Sequence, residues 1–102
     1  NLFEGKGFLV KELYVKSKSS LSLQKHYHRA EYWLVTHGKP LITINKNKFT
    51  KKQNESVFIP QGSIHRIENP YKKPVKIIEV QTGHILKESD IVRYQDIYGR
   101  IR

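Results

Sequence analysis

The chain has no cysteine among its 102 residues. Disulfides and thiolate metal ligands are therefore excluded, and His, Glu, Asp and Gln remain as side chains able to ligate a transition metal. Long apolar runs are also absent. No stretch approaches the length that crosses a bilayer, and the N-terminus has no apolar signal-peptide core, so a soluble, cytoplasmic protein without membrane contact is expected. Acidic residues are scarce, nine against nineteen lysines and arginines, for a formal net charge of +10. A balance of this kind favours an anionic partner by long-range attraction.

The cations do not form a nucleic-acid footprint. Lys46, Lys48, Lys51, Lys52, Lys72 and Lys73 fall near expected turns, neither along one helix face nor between aromatic residues on a sheet, which disfavours nucleic acid. A small phosphorylated ligand needs only a few cations at one pocket. A chain of this length makes one domain, residues 1–102, with a single core.

Short β-rich runs follow one another with Gly, Pro and Asn between them. Gly7–Val15 reads as the first strand, closed by the Lys16–Ser20 turn. Ser22–Trp33 holds a second strand, a turn near Arg29 and Ala30, and a resumed strand, Glu31–Thr36, that places Glu31, Trp33 and Val35 on one face. Further strands are expected at Leu41–Ile44, from Phe49 toward the Asn54-Glu55 corner, at Ser56–Ile59, at Ser63–Glu68 and at Val75–Gln81, with turns at Pro60-Gln61-Gly62 and Asn69-Pro70. The last strand sets Val75, Ile77, Glu79 and Gln81 against Lys76, Ile78 and Val80. Apolar residues on both of its faces imply cover by another sheet or subunit, and a homodimer is expected. From Glu88 onward, Ile91, Tyr94 and Tyr98 recur at near-helical spacing behind Ser89 or Asp90 as caps, which suggests a short helix or an ordered arm. This spacing of strands argues for an antiparallel sandwich or barrel. An immunoglobulin-type sandwich accounts for the strands but not for histidines at their ends; a jelly roll, whose mouth encloses small-molecule sites, accounts for both.

Within Ser22–Trp33, Gln24, His26 and His28 alternate with other residues, so their side chains share one strand face. A buried polar row needs satisfaction, and nitrogen and oxygen donors spaced in this way can share a borderline divalent ion. Downstream, Pro60-x-Gly62-x-x-His65-x-x-x-Asn69 uses a tight turn to deliver His65 to the start of a strand. This element resembles the second motif of the cupin superfamily, and the upstream stretch resembles the first. Two registers compete there. His26 and His28 form the ligand pair in one, with Glu31 too close behind them; Gln24 and His26 form it in the other, which spaces Glu31 and Gly38 better.

A Gln-x-His pair is similar to that of the phosphomannose isomerase branch. Ser22-Leu23-Gln24, His26, His28-Arg29-Ala30-Glu31, Trp33, Ile59-Pro60, His65-Arg66, Ile78-Glu79-Val80-Gln81, Gly83, Asp90–Arg93, Asp96 and Tyr98-Gly99-Arg100 together resemble the type II mannose-6-phosphate isomerase domain. That domain is commonly the C-terminal part of a bifunctional enzyme with mannose-1-phosphate guanylyltransferase activity. The nucleotidyltransferase glycine-rich loop and the Arg-Pro-Trp-Gly that usually opens the domain are both missing, which suggests a chain that begins inside its parent. Lys18, Asn54 and Tyr32 stand where the family usually has glycine, glycine and histidine.

The resemblance implies an all-β cupin double-stranded β-helix and a metal-dependent interconversion of mannose 6-phosphate and fructose 6-phosphate through an enediol. Gln24, His26, Glu31 and His65 would be the ligands, with His28 in place of Gln24 or behind it. Zinc is the favoured ion, being redox-inert and tolerant of mixed nitrogen and oxygen ligands; iron, manganese and nickel suit the same donors. His28, Glu68 and Glu79 are candidates for the proton-transfer base. Arg29, Arg66 and Arg93, ahead of Lys25 and Arg100, are candidates for phosphate, with Arg66 also a candidate in catalysis. Trp33 reads as core, and His37 and His84 carry no assigned role. The alternative is a non-catalytic cupin that binds a sugar phosphate or sugar nucleotide, or dimerises, within a guanylyltransferase. A cupin dioxygenase is disfavoured by Gln24 and restored only by the His26–His28 register.

Overall fold

The computed structural model describes residues 3–83 together with the backbone of 91–93, and these described residues form eleven strands. The strands are β1 (Phe3–Gly5), β2 (Phe8–Val15), β3 (Ser19–Ser20), β4 (Gln24–His26), β5 (Arg29–His37), β6 (Leu41–Ile44), β7 (Asn47–Thr50), β8 (Ser56–Ile59), β9 (Ile64–Asn69), β10 (Val75–Gly83) and β11 (Ile91–Arg93). They build two sheets, ordered β1-β2-β10-β5-β8 and β11-β4-β9-β6-β7, with β3 on β9. Every pairing is antiparallel. The expected strands are all present, and no described residue is helical.

Two boundaries differ from the sequence reading. The bend falls at Tyr27 and His28 and not at Arg29 and Ala30, so Arg29 and Ala30 already belong to β5. With the period of two, that brings Arg29 onto the same inward face as Glu31, Trp33 and Val35. In the tail, Ile91–Arg93 is not the start of a helix but a strand antiparallel to β4, with Ile91 opposite His26 and Arg93 opposite Gln24. The rest of the expected helix or arm, with His84 and Arg100, lies outside the described residues.

The two sheets pack face to face over Val15, Trp33, Val35, Ile42, Ile59, Ile67, Val75 and Ile77, each at most 2% exposed. This apolar cluster occupies one half of the interior. Along β10 the inward residues run Val75, Ile77, Glu79, Gln81; along β5, toward its start, they run Val35, Trp33, Glu31, Arg29; and β9 passes from Ile67 to His65. The inward face thus changes from apolar to polar at the same level in three strands. Registers align the change: Glu79 lies opposite Trp33 on one side and Lys11 on the other, and Gln81 lies opposite Glu31.

Turn chemistry fits the connections, with one strained position. Asn45 and Asn54 adopt left-handed backbone (φ 54° and 72°), which Asn tolerates. Lys18 is also left-handed (φ 57°), in the β2–β3 turn, and its N–H donates to the Tyr71 carbonyl at 3.2 Å. A side chain there is penalised, and glycine removes the penalty while adding freedom to the unfolded chain. Lys18→Gly is expected to raise unfolding free energy by about 0.5–1 kcal/mol in urea melts; a loss of stability would show that the lysine side chain supports the turn.

Candidate metal centre

His26, Glu31 and His65 are all buried, and one ligand atom from each lies within 4.8 Å of the others. His26 comes from the end of β4, Glu31 from the inward face of β5 and His65 from β9. The Pro60–Gly62 turn joins these elements: Gly62, at φ 84°, donates its N–H to the His26 carbonyl at 2.8 Å. The next residue orients the second histidine, because the Ser63 carbonyl accepts from His65 Nδ1 at 3.2 Å. That bond leaves the His65 Nε2 lone pair toward Glu31, whose Oε1 is 3.7 Å away. The two imidazoles stack at 5.0 Å between centroids, and the Trp33 ring meets His65 edge-on at 5.5 Å.

Glu31 is at the centre of this arrangement and 1% exposed. Its Oε2 is 3.0 Å from His26 Nε2 and 3.4 Å from Arg29 Nε, and its Oε1 accepts from Trp33 Nε1 at 2.9 Å. The same indole N–H reaches Glu79 Oε2 at 3.0 Å, and Gln81 Nε2 donates to Glu79 Oε1 at 2.6 Å. One donor is therefore shared by two buried carboxyls, which cannot both be ionised cheaply without a cation between them. Burial, followed by the hydrogen bond and charge of Glu31, pushes Glu79 up to about 8. Burial and then repulsion from His26 push His65 down to about 4, so it stays neutral, the form in which imidazole binds a metal.

These residues fit a divalent ion. The buried Glu31 Oε2 has no hydrogen-bond donor, and the carboxylate turns one oxygen toward each imidazole, Oε2 at 3.0 Å from His26 Nε2 and Oε1 at 3.7 Å from His65 Nε2, so that three nitrogen and oxygen donors converge on one buried point. Nitrogen and oxygen donors without sulfur select borderline ions such as zinc, manganese, iron, cobalt and nickel.

The other candidates separate. Gln24, opposite His65 in register and half-buried, lines a cavity together with Glu31 and His65, and its Nε2 donates to Ser22 Oγ at 3.3 Å. His28 is exposed at the bend, away from the buried trio, because the strand breaks before it. The register pairing His26 with His28 is therefore not formed. Glu79 lines the cavity, whereas Glu68 lies on the other face of β9, 3.5 Å from Arg66 Nη2 and 3.7 Å from Lys48. Arg66 borders the cavity. Arg29 is not an open phosphate contact but is buried against His26 and Glu31. Lys25 alternates away from Gln24 and His26, its ammonium 4.9 Å from the Tyr27 ring centroid. Nothing is described of the Arg93 side chain.

Sequence reasoning did not identify Lys11 and Gln81 as cavity residues. Both line a cavity of about 160 Å³, together with Gln24, Arg29, Trp33 and Glu79. Alternation was the available signal for Lys11, since Leu9, Leu13 and Val15 share its side of β2.

A sequence model for the family described as mannose-6-phosphate isomerase C-terminal matches residues 1–96. Over 96 residues the chain is 50% identical to the alginate biosynthesis protein AlgA of Pseudomonas putida, covering 94% of this chain and 20% of that protein. Over 97 residues it is 45% identical to the mannose-1-phosphate guanylyltransferase ManC of Salmonella typhimurium, covering 95% and 20%. The chain spans about a fifth of the length of these curated relatives. Among solved structures, a Klebsiella pneumoniae protein with a double-stranded β-helix domain superposes with TM-score 0.79 at 14% identity, over 90% of this chain and 78% of that one. A cupin 2 conserved barrel domain protein of Salinispora arenicola gives TM-score 0.68 at 21% identity, over 74% and 63%. At such identities they speak for the fold alone, and the fold is the cupin double-stranded β-helix.

The two shifted groups give metal-free stability a defined pH dependence. His65, depressed from 6.5 to about 4, contributes stability that is present above pH 6.5 and lost as pH falls toward 4. Glu79, raised from 4.5 to about 8, keeps a proton that the unfolded chain has released, so stability falls as pH rises from 4.5 to 8. Their slopes oppose below pH 6.5, and above it only Glu79 acts. Urea melts in chelator should show a loss of about 1–2 kcal/mol between pH 6.5 and 8, flattened in Glu79→Gln; an equal slope in the variant would contradict this.

Proposed function

Because this chain belongs to the mannose-6-phosphate isomerase C-terminal family, we propose that it interconverts mannose 6-phosphate and fructose 6-phosphate in a metal-dependent isomerisation. The observation that carries the reading is the juxtaposition of a His26–Glu31–His65 ligand group and the carboxyl of Glu79, bridged by the Trp33 N–H, with Glu31, His65 and Glu79 lining one cavity. An aldose–ketose isomerase needs those two functions side by side. A proton must leave C2 and arrive at C1, a second must pass from the C2 hydroxyl to the C1 oxygen, and charge must be stabilised on the carbonyl oxygen meanwhile. When bound, the ion, for which zinc is the proposed identity, supplies electrophilic polarisation of that carbonyl.

The chain's own residues carry the remainder. Glu79 Oε1 and Oε2 are held by Gln81 and Trp33, so the carboxyl keeps a fixed aim into the cavity. A carboxyl that titrates near neutrality can accept the C2 proton and return it to C1. Gln24, which lines the cavity, is the additional oxygen donor in this reading. Lys11 and Arg66, which border the same cavity, are the cations proposed to meet the phosphate. The names of the relatives, an alginate biosynthesis protein and a mannose-1-phosphate guanylyltransferase, support a place in sugar-nucleotide supply for polysaccharide synthesis.

Turnover of mannose 6-phosphate by the purified chain, measured before and after chelation and with single divalent metals restored, tests this. Restored activity is expected, with His65→Ala reducing kcat/KM by about 100-fold or more. A folded chain that binds mannose 6-phosphate and shows no turnover with any metal would sink catalysis in favour of sugar-phosphate binding. Lys11→Met should raise KM for mannose 6-phosphate about tenfold with kcat nearly unchanged; an unchanged KM would remove Lys11 from phosphate recognition.

A further inference from the structure

Arg29 is 3% exposed, and its guanidinium is directed at two atoms of the candidate metal group. Nη2 donates to His26 Nε2 at 3.2 Å, and Nε lies 3.4 Å from Glu31 Oε2. Those acceptors are themselves 3.0 Å apart. An imidazole nitrogen has one lone pair, so the N–H of Arg29 and a divalent ion cannot both take it. Guanidinium is also a permanent cation, unable to leave by losing a proton, and it compensates the buried Glu31 charge as an ion would. We infer that Arg29 is an internal competitor for the metal: it holds His26 and Glu31 together in the metal-free chain and must withdraw from Nε2 when the ion binds. Metal affinity is thereby set below what the three ligands alone would give, which allows exchange of the ion. The inference rests on the metal-centre reading but not on the identity of the substrate.

The test is zinc affinity by competition with a chromophoric chelator, using the full chain and Arg29→Met, which keeps length and removes the charge. The variant is expected to bind zinc at least about tenfold more tightly and to melt at a lower temperature in chelator. Equal or weaker zinc binding by a folded Arg29→Met would overturn the inference, and no zinc binding by either chain would overturn the metal centre with it. If Arg29→Met does not fold without metal, the wild-type chain decides through NMR. The Arg29 Nε–H resonance, assigned with Arg29→Lys, is expected to shift on zinc addition together with the His26 ring signals. An Arg29 signal that stays in place while His26 shifts would overturn competition.

Discussion

The buried carboxylate of Glu31 is the constraint to which the rest of the site answers. A carboxylate removed from water is costly unless donors or cations surround it, and at 1% exposure this one has the Trp33 N–H, the His26 and His65 rings and the Arg29 guanidinium around it. Each neighbour arrives from a different part of the chain. Trp33 and Arg29 flank Glu31 at alternate positions on β5, His26 ends β4, and His65 follows the Pro60–Gly62 turn into β9. Displacing any one of these elements leaves charge or donors unmatched, so the two sheets are coupled through one residue. The coupling also reaches a second carboxyl, since Trp33 spans Glu31 and Glu79 with a single N–H.

Such a cluster is tolerable because the interior is divided. Val15, Val35, Ile42, Ile67, Val75 and Ile77 fill one half with close-packed apolar side chains, and the favourable burial there offsets the polar half. The division lies along individual strands and not between domains. Glu79 and Gln81 continue the face begun by Val75 and Ile77, and Glu31 and Arg29 continue the one begun by Val35 and Trp33. Strand pairing that aligns the apolar residues therefore also aligns the polar ones. Folding and assembly of the site are the same event.

Much of this was legible in sequence, for reasons that differ by residue. The alternation in Glu31–Thr36 and Val75–Gln81 grouped the residues of each face correctly because those strands are long, and one face of each is buried. The grouping of His26, Glu31 and His65 was legible through the resemblance of the two motifs that carry them, and the tight turn containing Pro60 and Gly62 explains physically how His65 is aimed. The choice between Gln24 and His28 as partner of His26 turned on where the strand breaks, which propensity does not resolve to within two residues. The same uncertainty concealed Arg29: a turn at Arg29-Ala30 makes it a surface arginine, whereas a bend at Tyr27-His28 puts it in the interior. Lys11 was hidden differently. In a chain this rich in lysine, one more on an amphipathic strand reads as solvated, although it alternates in phase with Leu9, Leu13 and Val15, and the register that pairs it with Glu79 fixes its inward direction. In the tail, the near-helical spacing of Ile91, Tyr94 and Tyr98 competes with the β-formers Ile91 and Val92, which left a helix and an arm both open; at Ile91–Arg93 an available edge at β4 decides for strand.

Charge is distributed in a way that composition alone conceals. The chain is strongly basic, yet two of its nine acids lie in the cavity, where they would repel an anionic ligand if left bare. Arg29 inside, or a divalent ion in its place, compensates Glu31. In the isomerase reading proposed above, a positive exterior that raises the local concentration of anions and buried acids that move protons make opposite demands on charge. The fold separates the two in space: Lys46, Lys52, Lys72 and Lys73 are exposed in the connections between strands, whereas Glu31 and Glu79 lie on the inward faces of β5 and β10.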